Sequence, residues 1–336
     1  TDAAYENVVL HVVWEHNRDV QRQDGTMVPT LALKDRVAPR LYEQYQRLVY
    51  ADTPILCANQ LPQVKSIDKA TMLDKALFQR LTHKNNLVYK LLQDNQGNWE
   101  ETAYQLLAYN FGFKVNSATF LDLVLRIPLK LLAKHANNVS HLEALLLGQA
   151  GLLPPEQVVR GPYLNALHQD YIHLAHKYNL PLERMKASQW KFFRLRPANF
   201  PTTRIAQFAQ LLHHHPSLFD LLVNTPTKIL YKRLAVTPSE YWQRHFQFGR
   251  PSKNKIGRLG QSSLESILIN TVVPLLVAYG KAKDEQDYVD RAVAILQHLP
   301  AEHNRITRRW EEVGIRVKSA FDSQALIELF NNFCTE

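Results

Sequence analysis

Three segments of the 336-residue chain combine cations with aromatic rings or glycines in patterns that suit phosphate chemistry. In residues 190–204 (WKFFRLRPANFPTTR), Trp190, Phe192, Phe193 and Phe200 alternate with Lys191, Arg194, Arg196 and Arg204. Guanidinium groups pair with phosphate and stack on bases, and aromatic rings offer base-stacking faces, so the mixture suits a nucleic acid. Trp190 and Phe193 are the candidate stacking residues, the four cations the candidate phosphate contacts. Asn199 and Thr202 add neutral phosphate contacts or cap the following helix. The alternative reading makes the aromatics core residues and the prolines a helix entry. Residues 246–263 (FQFGRPSKNKIGRLGQSS) carry Arg250, Lys253, Lys255 and Arg258 among Gly249, Gly257 and Gly260. The pattern predicts a flexible basic loop entering a helix N-terminus, whose free N–H groups attract anions. No Gly-Lys-Ser/Thr triplet follows, so nucleoside triphosphate binding has no support. Residues 303–309 (HNRITRR) bring Arg305, Arg308 and Arg309 to one side of a helix, with Glu311 and Glu312 next to them as internal ion-pair partners or rivals of an external ligand.

Other reactive residues form no recognisable set. His213, His214 and His215 resemble a metal tract, but consecutive helical side chains diverge by about 100°, so three cannot reach one ion within a helix. His11 and Glu15 would face the same side of a strand, yet about 13 Å apart. Cys57 and Cys334 are the only cysteines, too few for a disulfide framework, and reduced thiols in a cytoplasmic protein are expected. No catalytic residue, metal ligand set or cofactor motif is assigned within this chain.

Charge is unevenly placed. The formal net charge is +9, but residues 1–150 hold 16 basic and 15 acidic side chains while residues 151–336 hold 24 and 16. Residues 184–219 and 241–264 contain no acid at all. Such stretches create unscreened positive potential that favours polyanions.

The elements that must position these groups are mostly helices. A hydrophobic share of 46% and 28 Gly and Pro residues are typical of a folded chain. Residues 7–15 (NVVLHVVWE) and 28–33 (VPTLAL) read as two strands joined by a hairpin at Asp24-Gly25. From Pro39 the period is helical. Leu41, Tyr45 and Leu48 share a face before a proline-marked loop at 54–62, and Leu73, Leu77, Leu81 and Val88 form an amphipathic stripe. Further helices are expected at 99–111, 120–133, 141–150, 163–178, 203–213, 217–223, 238–246, 262–279, 285–299 and 323–333, with Gly280 and Pro300 as stops and no further strand. The longest apolar run, 267–278, contains Asn270, Thr271 and Pro274 and falls short of a bilayer span, so no membrane crossing is expected. The reading is a mainly α chain divided as a β-hairpin at 1–36, a helical unit at 37–153 and a basic helical unit at 154–336. The chain lacks an initiator Met, which reads as a fragment or processed form.

The segments AYENVVLHVVWEHNRDV, DGTMVPTLAL, NFGFKVN, PLKLLAKH, LEALLLGQAGLL, LRPANFPTTRIAQ, INTVVPLLVAYG, HNRITRRW and DSQALIEL together resemble a bacterial family known as domain of unknown function 2851. The resemblance runs from Ala4 to Cys334. It implies a preceding region with Gly-Pro-Asp-Phe and Glu-Ile-His segments on successive strands, a restriction-endonuclease-like α/β core of which the two strands here would be the tail. In such a core a divalent metal activates water for phosphodiester cleavage. Neither segment is in this sequence, so a metal-dependent nuclease is implied only for a longer protein. The resemblance also implies a Cys-rich tail beyond Cys334.

These readings lead to one expectation: a helical, nucleic-acid-binding portion of a nuclease-like protein, itself inactive. Two alternatives stay open, a non-enzymatic scaffold whose basic face meets an acidic protein partner, and a binder of a small phosphorylated ligand through residues 249–263.

Overall fold

The structure is a computed structural model that describes residues 8–22, 24–50, 55–155, 161–181 and 183–334. Asn7, Pro54 and the Leu48 side chain lie outside the described residues. Strands β1 (His11–Val13) and β2 (Thr30–Ala32) open the chain. They pair in parallel, His11 beside Thr30, which corrects the expected hairpin between them. The Asp24-Gly25 turn is real but local. Asp24 Oδ1 accepts from the Thr26 N–H at 2.9 Å, Gly25 takes φ +84°, and the turn closes an antiparallel bridge between Gln21 and Met27. The tight turn is thus used up inside the connection, leaving β1 and β2 to run the same way. His11 and Glu15 do not act together, since Glu15 pairs with Lys34 and His11 Nδ1 is buried without a partner.

Helix α1 (Pro39–Val49) follows, with Leu41 and Tyr45 exposed rather than core-facing. Helix α2 (Ser66–Asp94) buries Leu77, Leu81, Val88 and Leu91 on one stripe, as the helical spacing requires. Helix α3 (Trp99–Phe111) starts at Asn98, whose Oδ1 accepts from the N–H groups of Glu100 and Glu101, a side-chain cap of the first turn. The expected 120–133 helix is two, α4 (Ser117–Leu125) and α5 (Leu129–Ala133), because Pro128 lacks an N–H and forces Ile127 out of the helical region. Next come α6 (Val139–Gln149), α7 (Pro162–Lys177), α8 (Pro201–His214), α9 (Leu218–Asn224), α10 (Thr227–Leu234), which the sequence reading missed, and α11 (Glu240–Arg244).

A second sheet corrects the expectation that no strand recurs. β3 (His245–Gln247) and β4 (Arg250–Pro251) form an antiparallel hairpin turned by Gly249 at φ +67°. The chain then enters α12 (Gln261–Ile267), a π-helical turn (Leu268–Val272) and α13 (Val273–Lys283), which run on as one helix. Pro274 explains the π turn. It has no N–H for the Asn270 carbonyl four residues back, and its ring would clash there in an α-helix. Asn110 Nδ2 donates to that carbonyl at 2.9 Å instead, while Lys84 Nζ reaches Asn270 Oδ1 at 2.8 Å. The helix also passes through Gly280, the expected stop, and ends at Asp284. Gly280 is small for another reason, since a Cβ there would sit 2.8 Å from Glu285 O and 3.0 Å from Tyr288 Cβ.

Helices α14 (Gln286–His298), α15 (Arg305–Glu312) and α16 (Ala320–Phe333) complete the mainly α fold. α2 packs on α13 and α16, α6 on α7 and α8, and α13 on α14. One buried apolar cluster runs from Ala76 to Ala325, so the 37–153 and 154–336 portions share a single core. A smaller cluster joins Ile55 to Trp310, Leu326 and Phe330. The continuous helix Gln261–Lys283 is long and apolar enough to cross a membrane, but 72% of its apolar window is buried inside the protein, as befits a core helix.

Candidate nucleic-acid interface

Residues 184–200 are irregular, and their path is set by a close backbone approach. Gly151 sits at φ +67° with its missing Cβ only 1.8 Å from Met185 O, so any side chain there would push Met185 away. The Met185 N–H donates to Gln149 O at 3.0 Å. Trp190 then enters the core, 4% exposed, with Nε1 donating to Ala150 O at 2.9 Å and its edge on Phe120. It is therefore a packing residue, which corrects its assignment as a base-stacking platform; a hydrogen-bonded indole with an apolar body is the ordinary buried state of tryptophan. Asn116 holds the next residue, donating to Lys191 O at 3.0 Å and accepting from the Lys191 N–H at 2.9 Å. The Lys191 side chain is left exposed, as are Arg194 and Arg196. Phe192 packs edge-on against Phe200, whereas Phe193 is 81% exposed with the Arg194 guanidinium 5.2 Å from its ring centroid.

Arg204 lies differently. It is 5% exposed, and its terminal nitrogens donate to Gln207 Oε1 at 2.9 Å, Asn199 Oδ1 at 2.7 Å and Ser263 Oγ at 2.9 Å. A surface phosphate contact by Arg204 is thus corrected to a buried junction. Thr202 is also committed, its hydroxyl donating to Phe246 O at 2.6 Å.

Those bonds join the first basic segment to the second. Phe200 meets Phe246 edge-on at 5.6 Å, and Arg204 reaches Ser263, so residues 190–204 and 246–263 pack along one seam. The second segment is less free than a flexible loop. Its backbone is tied to α11 and its approach by the Ser252 N–H to Arg244 O at 2.7 Å, the Ile256 N–H to Gln243 O at 2.8 Å and the Leu259 N–H to Val236 O at 3.0 Å, and Ile256 and Leu259 are buried anchors. Around these anchors Arg250, Lys253, Lys255 and Arg258 remain exposed. Lys253 and Lys255 line an open pocket of about 550 Å³ with Arg244, Gln243, Ser252 and Glu240. Among the described residues, no carboxylate lies within 4.0 Å of any of the seven exposed cations of the two segments; Arg244, by contrast, pairs with Glu240 at 3.4 Å.

The third segment belongs elsewhere. Arg305 and Arg308 are exposed on α15, and Arg309 lies half-buried with its guanidinium 5.3 Å from the Phe330 ring centroid, in the smaller apolar cluster. Among the described residues no ion pair ties these arginines to Glu311 or Glu312. His213 to His215 mark the end of α8, where His213 Nδ1 meets Ala136 O at 2.6 Å, and among the described residues no three His, Cys, Asp or Glu side chains gather as a metal site.

The sequence reading missed two polar clusters. Glu143, 1% exposed, accepts from the Tyr163 hydroxyl at 2.8 Å and the Ser239 hydroxyl at 2.7 Å, and burial pushes its carboxyl up to about 7. His135 meets His141 through facing Nδ1 atoms at 3.0 Å and Tyr178 OH through Nε2 at 3.0 Å; burial, then its neighbouring cations, lower its pKa. Tyr163 and Ser239 come to Glu143, and Tyr178 to His135, from distant parts of the chain that no local spacing announces. A large cavity of about 860 Å³ lies away from the seam, lined by apolar residues with Cys57 and Cys334. Its wall holds one cation, Lys69, so it offers no polyanion surface.

No curated protein and no solved structure matches the chain. A family model does match, over residues 1–305, leaving 306–336 outside it. With nine-tenths of its length so matched, the chain belongs to the family described as Protein of unknown function (DUF2851).

Proposed function

We propose that this chain binds nucleic acid along the seam between residues 190–204 and 246–263, and we assign no reaction to it. The observation that carries the reading is the set of seven exposed cations, Lys191, Arg194, Arg196, Arg250, Lys253, Lys255 and Arg258, on two segments that pack on one another, with no carboxylate partner among the described residues. Exposed cations free of ion pairs can neutralise backbone phosphates, and the resulting release of the counterions condensed on the nucleic acid is the main driving term of such binding. Phe193, exposed beside Arg194, is the remaining stacking candidate.

Fluorescence anisotropy with labelled single- and double-stranded oligonucleotides over a salt series tests the reading. Affinity is expected to fall with salt, with a slope for duplex DNA approaching about −6 if all seven cations engage. A charge-reversed variant, Arg196→Glu with Arg258→Glu, is expected to lose binding while keeping its fold. Absence of salt-dependent binding overturns the proposal, and retention of an acidic protein partner with indifference to oligonucleotides would replace it.

A further inference from the structure

Arg204 carries its charge into the interior with no carboxylate beside it among the described residues. Its three terminal contacts are neutral oxygens, its Nε has no partner, and its guanidinium carbon lies over the Phe113 ring, 4.3 Å from the centroid. Among the described residues no carboxylate approaches it, and burial alone lowers its pKa to about 10. Burying an unpaired charge is costly, and proteins generally meet that cost with a counter-charge.

Beside it is a space for one. A pocket of about 120 Å³ is lined by Arg204, Asn199, Leu195, Gly112, Phe113 and Asn116 among others. At about 30 Å³ per water, that is the room of about four waters, close to a single tetrahedral oxyanion. The pocket adjoins the first turn of the 14-residue helix α8, where the positive end of the helix dipole favours negative charge. Its wall is also built under strain. Phe113 and Lys114 hold φ of +44° and +69°, and Gly112 permits the turn, since a Cβ there would lie 2.4 Å from the backbone of Asn116 and Ser117. The segments NFGFKVN and LRPANFPTTRIAQ, far apart in the chain, form its walls.

We infer that the Arg204 pocket is a binding site for a single phosphate group, either the terminal phosphate monoester of a nucleic acid or free inorganic phosphate. The inference does not require the seam to bind a polymer, because the pocket's charge deficit exists without one.

The test uses Asn199→Asp. Asn199 is exposed, and its Oδ1 already accepts from Arg204, so the isosteric change supplies the missing negative charge without disturbing packing. Thermal unfolding of the unaltered protein is expected to shift upward with inorganic phosphate but not with chloride at equal ionic strength. The variant is expected to start from a higher midpoint and to bind phosphate at least roughly tenfold more weakly, through repulsion at contact distance. Equal responses to phosphate and chloride overturn the inference, as does a variant that responds like the parent. A second arm compares oligonucleotides bearing a 5′-phosphate or a 5′-hydroxyl. Tighter binding of the phosphorylated form, abolished in the variant, identifies a nucleic-acid end as the source; equal binding of both forms with the inorganic response intact identifies free phosphate. Loss of all oligonucleotide binding with that response intact removes the seam proposal alone.

Discussion

Replacing Glu143 by Gln should change how stability depends on pH, by an amount the buried network fixes. Burial raises this carboxyl from 4.5 to about 7, and the hydrogen bonds from Ser239 and Tyr163 offset only part of that rise. Between those two values the folded protein holds a proton that the unfolded chain has released, so the contribution of Glu143 to stability is greatest below pH 4.5 and is lost as pH rises through 7. At 1.36 kcal/mol per pH unit, the loss is about 3 kcal/mol. Gln keeps an acceptor for the Tyr163 hydroxyl, and its amide can donate to a rotated Ser239 hydroxyl, while the Trp242 Nε1 bond to Tyr163 OH at 2.8 Å is untouched. The variant therefore resembles protonated Glu143 at every pH. Urea unfolding of both proteins at pH 4.5, 5.5, 6.5 and 7.5 checks this, because other titrating groups cancel in the difference. The variant is expected to gain on the parent by about 3 kcal/mol across that range. A difference that stays constant with pH would refute the reasoning, since it would mean that Glu143 titrates alike in both states.

Phe193→Ala removes an exposed ring, so stability should move by less than about 0.5 kcal/mol while binding to single strands weakens by about 1–3 kcal/mol, read by chemical denaturation and anisotropy. Trp190→Ala should do the reverse, costing about 3–5 kcal/mol of stability through the cavity it leaves. Asn110→Ala strips the Asn270 carbonyl of its donor and should cost about 1–3 kcal/mol, with hydrogen exchange rising in the π turn. Lys84, whose amine burial lowers to about 7, sets an opposite pH trend: the unfolded chain binds the extra proton between 7 and 10.5, so stability should climb over that window and flatten in Lys84→Met.

Much of the helical architecture was legible because it rests on local spacing. The stripe Leu77, Leu81, Val88, Leu91 placed α2, and the spacing of residues 99–111 placed α3. Errors fell where distant partners decide. Val and Leu content announced two strands, but whether they run parallel depends on how the intervening chain folds on itself. The hairpin at His245 to Pro251 lies in a stretch whose basic residues read as loop, and only its pinning to α11 makes it regular. The exposure of Lys191, Arg194, Arg196 and the four cations of the second segment was legible from composition because exposure is the default for charge. Arg204 and Trp190 were misassigned because their burial depends on Asn199, Ser263 and Ala150, which the sequence does not place beside them. Phe113 and Asn116, which shape the Arg204 pocket, gave no signal beyond the NFGFKVN string itself.

The apolar cluster that runs from Ala76 to Ala325 draws on both the acid-balanced and the cationic portions of the chain. Neither portion presents a finished hydrophobic interior when alone, so each, expressed singly, should aggregate or stay molten, whereas the two co-expressed as separate polypeptides should recombine into a native-like heterodimer. The electropositive surface thus depends for its shape on a near-neutral partner half that contributes almost none of the charge.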